Sequence, residues 1–344
     1  MLRLGVKNIL FIAPSFHKKT QSFTFLRDLL SKDCKVECYF VDLINKKHFE
    51  ITEDIKKKSF DILVCHQFLP SASVLSRISF KKGVIVPMLD ACPSVFKTEK
   101  WIPYLNFNII SFSKKLHNDL MKIGLRSKYF QYFPQKQKVS SWGYNKSIFF
   151  WNRRSEISIN LIHKLFSNYK IEKLFWHFCP DPGQKLSPQS GSMNWEINKS
   201  EWFDDKNALN ELVSDCAFFI APRTKEGIGM SFLEAMASGR CVVANDSPTM
   251  NEYITHGKTG LLYDIKKPKP LKINDLLKIQ KNAYDFCQSG RERWEKESKN
   301  ILKWMCEQTN PNKKVFYFWI ILRFLRNPTK TTKAILQNKS KANK

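Results

Sequence analysis

The 344-residue sequence has no Cys-x-x-Cys pair, no apolar run as long as a membrane span, and no acidic residue after Glu307. The first absence matters because nine cysteines are present: Cys34, Cys38, Cys65, Cys92, Cys179, Cys216, Cys241, Cys287 and Cys306. Scattered singly, mostly in apolar runs, they read as small buried hydrophobes. That argues against a zinc site or a disulfide framework and fits a reducing cytoplasm. No stretch reaches the roughly 18 apolar residues that a spanning helix needs. The first residues run straight into a strand-like segment without a signal-peptide pattern, so a cytoplasmic location is expected.

Acids are also scarce overall, with 31 Asp and Glu against 57 Lys and Arg, for a formal net charge of +26. Lysine greatly outnumbers arginine, and Asn, Ile and Phe are abundant, so part of this excess is compositional habit. Its distribution says more. Beyond Glu307 come Lys313, Lys314, Arg323, Arg326, Lys330, Lys333, Lys339, Lys341 and Lys344, with no acid among them. A tail of one sign seeks an anionic surface, either membrane or nucleic acid. No nucleic-acid recognition motif accompanies it, and it does not interleave with a stacking platform, so nucleic acid is not expected as a partner. Apolar content of 43% with 13% aromatics indicates a globular chain, long enough for two domains.

The chain alternates between strand-like and helix-like patterns. Short apolar runs at 8–14, 35–42, 61–66, 83–87 and 108–112 read as strands, with helical spacing at 23–30 and 114–123. The stretch 134–147 lacks periodicity and reads as a linker. The alternation then resumes, with strands at 148–151, 173–178, 216–220, 241–244 and 260–263 and helices at 157–166, 206–213 and 232–237. Such alternation implies parallel sheets covered by helices, with ligands gathering at the carboxyl ends of the strands. In the first half those ends are 14–22, His66-Gln67 and Leu89-Asp90.

The most informative stretch is Ala221-Pro-Arg-Thr-Lys-Glu226-Gly-Ile-Gly-Met-Ser-Phe-Leu-Glu234-Ala-Met-Ala-Ser-Gly239. A buried strand leads into a loop with two glycines and then into a helix N-terminus, which presents backbone N–H groups to an anion. Glu226 and Glu234 bracket that spot. Ser231-Phe-Leu-Glu234 also fits a capping box worth roughly 1 kcal/mol, which would make Glu234 only a helix cap. Capping does not account for Glu226 or for both glycines. The string from Glu226 to Gly239 resembles the Glu-x7-Glu segment of retaining glycosyltransferases of family 4, the group 1 family. The likeness continues through Cys241-Val-Val-Ala-Asn and on to Asn251-Glu-Tyr-Ile-Thr-His-Gly-Lys-Thr-Gly260-Leu-Leu-Tyr.

The resemblance implies an α/β fold of the GT-B kind, with two Rossmann-like parallel-sheet domains facing a cleft and a C-terminal helix crossing back. The expected division is 1–140 for an acceptor domain and 141–290 for a nucleotide-sugar domain. A crossing helix is expected over 291–312, starting near Gly290-Arg-Glu-Arg-Trp294, followed by a basic and aromatic tail at 313–344. The implied reaction moves a sugar from a nucleotide-diphosphate sugar to a glycan or lipid-linked glycan, as in surface polysaccharide or lipopolysaccharide synthesis. By this analogy Glu234 holds the ribose hydroxyls and Glu226 those of the donor sugar. Gly227, Gly229, Met230, Ser231 and Phe232 would form the phosphate-binding turn, with Gly183 in a neighbouring loop.

Arg153 and Arg154 follow the first strand of the second half, where the family usually carries Gly-Arg and then Lys-Gly. Asn152 replaces that glycine, and no lysine lies between Arg154 and Lys164. Either the paired arginines neutralise the leaving diphosphate together, or Arg223 or Lys225 helps; solvated surface positions are the alternative. On the acceptor side, His66 and Asp90 stand at strand ends, and Lys18 and Lys19 replace the family's usual glycine pair. No Asp-x-Asp of the metal-holding type ends a strand, so neither metal nor other cofactor is expected. The segment 315–325 is too short to span a bilayer and reads as a helix lying in the headgroup layer or packed on the body. Its Trp and Tyr between cations favour the membrane surface, hence a peripheral protein on the inner face of the cytoplasmic membrane. The rival readings are a non-catalytic nucleotide-sugar or glycan binder on the same fold and, on charge alone, a nucleic-acid binder.

Overall fold

The computed structural model describes residues 6–42, 51–139, 141–181, 183–184, 186, 194–329, 332 and 335–336. Lys330, Lys333, Lys339, Lys341 and Lys344 of the basic tail lie outside the described residues, as do the first five residues of the chain. The chain divides into two compact units, residues 1–131 with 296–344 and residues 132–295.

The first unit begins β1 (Lys7–Pro14), α1 (His17–Thr20), α2 (Thr24–Ser31), β2 (Cys34–Val41), α3 (Glu53–Lys56) and β3 (Ser59–His66). It continues through α4 (Ala72–Leu75), β4 (Ser79–Val86), β5 (Asn108–Ser111), α5 (Lys114–Lys122) and β6 (Ser127–Tyr129). The strands form one six-stranded sheet in the order β2-β1-β3-β4-β5-β6, parallel at every pairing. The last six residues of β1 are all buried, as expected of a strand covered on both faces. Short apolar strands and helix-forming connections leave the parallel sheet as the arrangement that buries both faces.

The second unit carries β7 (Tyr144–Asn152), α6 (Ile159–Leu165), β8 (Lys173–Phe178), β9 (Glu196–Ser200), α7 (Lys206–Ser214) and β10 (Cys216–Ile220). After these come α8 (Met230–Ala237), β11 (Cys241–Asn245), β12 (Leu261–Tyr263) and α9 (Leu276–Glu297). Its sheet is again six-stranded and parallel, ordered β12-β11-β10-β7-β8-β9. Strand order reverses between β7 and β10, so the crevice at their carboxyl ends is the topological switch point where open α/β sheets bind ligands. Two structural differences from the sequence reading stand out here. β7 starts at Tyr144, inside the stretch expected to be linker, and the edge strand β9 has too little apolar pattern to be seen.

Arg240, 1% exposed, fastens this unit together. Its guanidinium donates to the carbonyls of Ser214 (2.5 Å), Cys216 (2.8 Å) and Ser238 (2.9 Å), and also to that of Ser141. Burial lowers its pKa to about 10, which still leaves it charged at neutral pH.

No helix starts at Gly290. α9 runs unbroken through it from Leu276, and the glycine is there because a Cβ would lie 2.2 Å from the ring of buried Phe133. The chain then returns to the first unit as α10 (Asn300–Cys306) and α11 (Lys313–Arg326). The Asn108 amide donates to the carbonyls of Trp304 and Glu307, both at 3.0 Å, which ties α10 and the residues after it to β5. Phe316 of α11 is fully buried in the core formed by β1, β3, β4 and α5.

Candidate active site

At the carboxyl end of β10 the chain enters the loop 221–229 and turns into α8. Gly229 caps α8 with φ +82°, and a Cβ there would fall 1.9 Å from the ring of Phe232. A left-handed residue in such close contact has to be glycine. The helix has no side-chain cap, so Ser231 and Glu234 do not form a capping box. Ser231 sits inside the first turn and Glu234 one turn further along. The loop itself is pinned from the next strand. Asn245 and Ser247 donate to the Thr224 carbonyl at 3.2 and 2.5 Å, and Thr249 donates to the Glu226 carbonyl at 2.8 Å. Glu226 is nearly enclosed at 7% exposure. The turn therefore leads into a helix whose first N–H groups lack intrahelical acceptors, with the enclosed Glu226 in the loop three residues before Gly229.

Glu234 and Ser231 line a cavity of about 240 Å³ between α7, α8 and the sheet, together with Gln137, Phe149, Trp151 and Asn210. Tyr132 stands near it, its hydroxyl pushed up by burial first and by the Glu234 charge second. Trp151, from the end of β7, is the wall this cavity shares with a cationic cluster. The Arg153 guanidinium stacks 4.8 Å from its ring centre.

The structure brings Arg153, Arg154 and Arg223 together on a residue that sequence reasoning passed over, Asp181. Arg153 Nε donates to Asp181 Oδ1 at 2.7 Å. Arg154 Nε and Arg223 Nη2 both donate to Oδ2, at 2.9 and 2.6 Å. Asp181 is only 7% exposed. Burial pushes its carboxyl up, but Arg153 and Arg223 beside it and the hydrogen bonds it accepts outweigh that and hold it below its ordinary value. Three guanidinium groups share that carboxylate, and Arg154 also lies 3.8 Å from the Glu156 carboxylate, which leaves a local charge of +1, partly open to solvent. Asp181 does lie in the strand-end sequence Cys179-Pro-Asp-Pro-Gly183, but one aspartate in a loop has no pattern to mark it.

The other expected donor residues divide. Gly227 is buried in the turn, while Met230 is half-buried at the start of α8. Phe232 is fully buried and packs on Tyr253 at 5.9 Å, so only its backbone can face a ligand. Lys225 is exposed on the loop. Gly183 is exposed in a left-handed turn with nothing within 4 Å of where its Cβ would be. Asp181, two residues earlier, is the member of that loop that joins the cluster.

In the first unit, α1 occupies part of the expected polar loop. Lys18 and Lys19 are exposed on it, with Lys18 Nζ 5.2 Å from the centre of the Phe40 ring. The residue that turns inward is His17, which sequence reasoning passed over. Its Nδ1 meets Ser22 Oγ at 2.7 Å and its Nε2 meets Gln67 Oε1 at 3.0 Å. Gln67 has φ +53°, a strained conformation at the end of β3. His66 is buried between the rings of Phe11 (5.7 Å) and His17 (5.3 Å), and neither of its ring nitrogens has a hydrogen-bond partner among the described residues. Burial holds His17 at about 4 and His66 at about 3, the latter helped by His17. Asp90 is half-buried in the turn after β4.

Comparison with known proteins bears on the family and the fold. Residues 196–317 match the profile of the family described as "Glycosyl transferases group 1". The alpha-maltose-1-phosphate synthase of Mycolicibacterium smegmatis is 32% identical over 93 residues, 25% of this chain and 24% of that protein. The N,N'-diacetylbacillosaminyl-diphospho-undecaprenol alpha-1,3-N-acetylgalactosaminyltransferase of Campylobacter jejuni is 32% identical over 124 residues, 35% of this chain and 33% of that protein. The matched segments thus span between a quarter and a third of these relatives. Among solved structures, HepE of Anabaena with UDP and glucose has a TM-score of 0.55 at 12% identity, over 86% of this chain and 100% of its own. Sucrose-phosphate synthase of Thermosynechococcus elongatus has a TM-score of 0.57 at 12% identity, over 86% and 98%. The fold is GT-B. The group 1 resemblance read from the Glu-x7-Glu segment holds over residues 196–317, which contain that segment whole.

Proposed function

We propose that this chain, GT-B in fold and group 1 glycosyl transferase over 196–317, transfers a sugar with retention from a nucleotide-diphosphate sugar to a glycan or lipid-linked glycan. The observation that supports this best is the continuity of cavity and cluster in the second unit. Glu234 stands in a cavity of nucleoside size, and Trp151 joins that cavity to three arginines set on Asp181. A nucleoside diphosphate carries a neutral base and ribose at one end and a dense negative charge at the other. The site offers the matching sequence of surfaces.

In this reading Glu234 accepts hydrogen bonds from the ribose hydroxyls and Glu226 from those of the donor sugar. Hydrogen bonds to an ionised carboxylate contribute about 1.5–3 kcal/mol each. The bond between the anomeric carbon and the diphosphate oxygen breaks while a bond from the acceptor oxygen forms on the same face. The acceptor proton passes to the departing phosphate oxygen, so no protein base is required. Arg153, Arg154 and Arg223, with the first N–H groups of α8, meet the charge that develops on that phosphate. Being already held in place by Asp181, they need little reorganisation. With these fixed cations at the diphosphate, the transfer is proposed to need no metal. Acceptor recognition is assigned to the first unit, through His66, Asp90, Lys18 and Lys19 and with His17 added. The setting is proposed to be the assembly of a surface polysaccharide or lipopolysaccharide at the inner face of the cytoplasmic membrane, as a peripheral protein.

The test begins with UDP, since HepE was solved with it, and extends to GDP and other nucleoside diphosphates. Ligand at 100 times its dissociation constant should raise stability by about 2.7 kcal/mol, which a thermal melt resolves. Glu234→Gln should abolish that shift. Glu226→Ala should keep the shift from the free nucleotide but lose sugar transfer. A full set of nucleotides and nucleotide sugars without any shift would overturn the reading.

A further inference from the structure

α11 carries apolar side chains on two opposite faces. One face, Phe316, Trp319 and Ile320, packs into the core of the first unit, and Arg323 on the same side reaches the buried carboxylate of Glu99 at 3.5 Å. Trp319 also meets the Phe96 ring at 5.4 Å. The helix is anchored at its start as well. Asn312 accepts from the Val315 N–H at 3.2 Å, and its own N–H donates to the Gly124 carbonyl at 2.8 Å. The other face remains uncovered. Tyr317 (53%), Phe318 (57%), Ile321 (58%) and Leu325 (70%) are all exposed, with Phe324 at the edge. At about 100° per residue these side chains fall within one arc, roughly opposite the packed one.

Four large exposed apolar side chains on one stripe are more than a surface normally shows by chance. The charges around the stripe identify what covers it. Exposed Lys313 and Lys314 stand at its beginning and Arg326 at its end, and Lys97 and Lys100 are exposed just before and at the end of the 3-10 turn Thr98–Lys100, against which the helix packs. From Lys313 to the last residue the sequence has nine cations and no acid. A protein partner with an apolar groove would need no such excess. An anionic bilayer surface takes both parts, with acyl chains meeting the aromatic stripe and headgroups the lysines. At 14 residues the helix is too short to cross a bilayer, and no helix among the described residues is long and apolar enough to do so.

We infer that α11 is a docking face for anionic lipid, lying in the plane of the membrane with Tyr317, Phe318, Ile321 and Leu325 inserted below the headgroups. This rests on the helix and its charges and deepens the peripheral location given above, without depending on the donor site. Because α11 is packed on the first unit, the face is presented ready-made and no segment has to fold on contact.

The experiment uses the full chain with vesicles of phosphatidylcholine alone and of phosphatidylcholine with phosphatidylglycerol. Sedimentation should carry the protein down only with the second kind, and added salt should release it in part. The triple variant Phe318→Ser, Ile321→Ser, Leu325→Ser should lower the bound fraction about tenfold or more, and Lys313→Gln with Lys314→Gln about fivefold per lysine. All these side chains are exposed, so the melting temperature should not move. The UDP-induced shift is recorded on the same samples. Protein that ignores both vesicle types, or a triple variant that binds as well as the parent, overturns the inference. So does light scattering that shows a dimer broken by the triple variant in the absence of vesicle binding, since the stripe would then join two copies. Vesicle binding lost with the UDP shift intact counts against the docking face alone; the reverse counts against the donor reading alone.

Discussion

Asp181 makes and breaks no bond in the proposed chemistry, yet the three arginines near the switch point are set by it. Its two oxygens accept from Arg153, Arg154 and Arg223, so each guanidinium is fixed at the position where it faces the others. Like charges gathered this way repel, and the carboxylate offsets that repulsion at the cost of its own desolvation. Asp181→Asn keeps the shape and removes the charge. The unliganded protein should lose about 3 kcal/mol, because Arg153, Arg154 and Arg223 lose the carboxylate they share in a half-buried setting. Inorganic phosphate and UDP should then raise the melting temperature more than they do in the parent, since the anion now supplies the missing charge. Equal phosphate-induced shifts in parent and variant would mean that the cluster is a structural ion-pair network and no anion site.

At the scale of elements, α8 and its preceding loop show what a single glycine can decide. Gly229 has to be left-handed to turn the loop into the helix, and the Phe232 ring fills the space beside it. Gly229→Ala therefore combines a conformational penalty of about 1–2 kcal/mol with displacement of a buried ring. A urea titration should show a loss of at least about 2 kcal/mol, with the UDP shift gone as well; a variant as stable as the parent would show that the turn adapts. This turn was legible in advance because glycine, carboxylate and helix formers follow one another along nineteen residues of sequence from Ala221 to Gly239. The buried parallel strands were legible for a similar reason, as unbroken apolar runs. What could not be read is whatever depends on distant residues meeting. Asp181 meets Arg223 across 42 positions, and His17 meets Gln67 across 50. The helix start expected near Gly290 falls inside α9, because a glycine looks like a boundary locally, whereas here it makes room for Phe133 from far upstream.

At the scale of the whole molecule, the two units differ in how many neutral histidines they bury. The first holds His17 and His66, at about 4 and about 3, and the second holds His177, at about 4, all mainly through burial. A free imidazole titrates near 6.5, so as pH falls below that value the unfolded chain takes up protons that the folded units refuse. The stability that comes with neutral burial is fully present above about pH 6.5 and is lost as pH falls towards 4. Each refused proton amounts to about 1.4 kcal/mol per pH unit in that window, so the first unit, where burial also lowers the pKa of half-buried His117, should lose at least about twice as much per pH unit as the second. The net charge of +26 adds to the effect, because every proton gained joins an already cationic chain. Hydrogen exchange followed from pH 7 to pH 4.5 should therefore show the amides of β1 and β3 losing protection before those of β7 and β10. His66→Phe places an apolar ring in the same stack against Phe11 and should weaken the dependence in the first unit, where His17 remains, while leaving the second unchanged. If both sheets lose protection together, or if the variant keeps the parent's pH profile, the buried imidazoles do not govern acid stability.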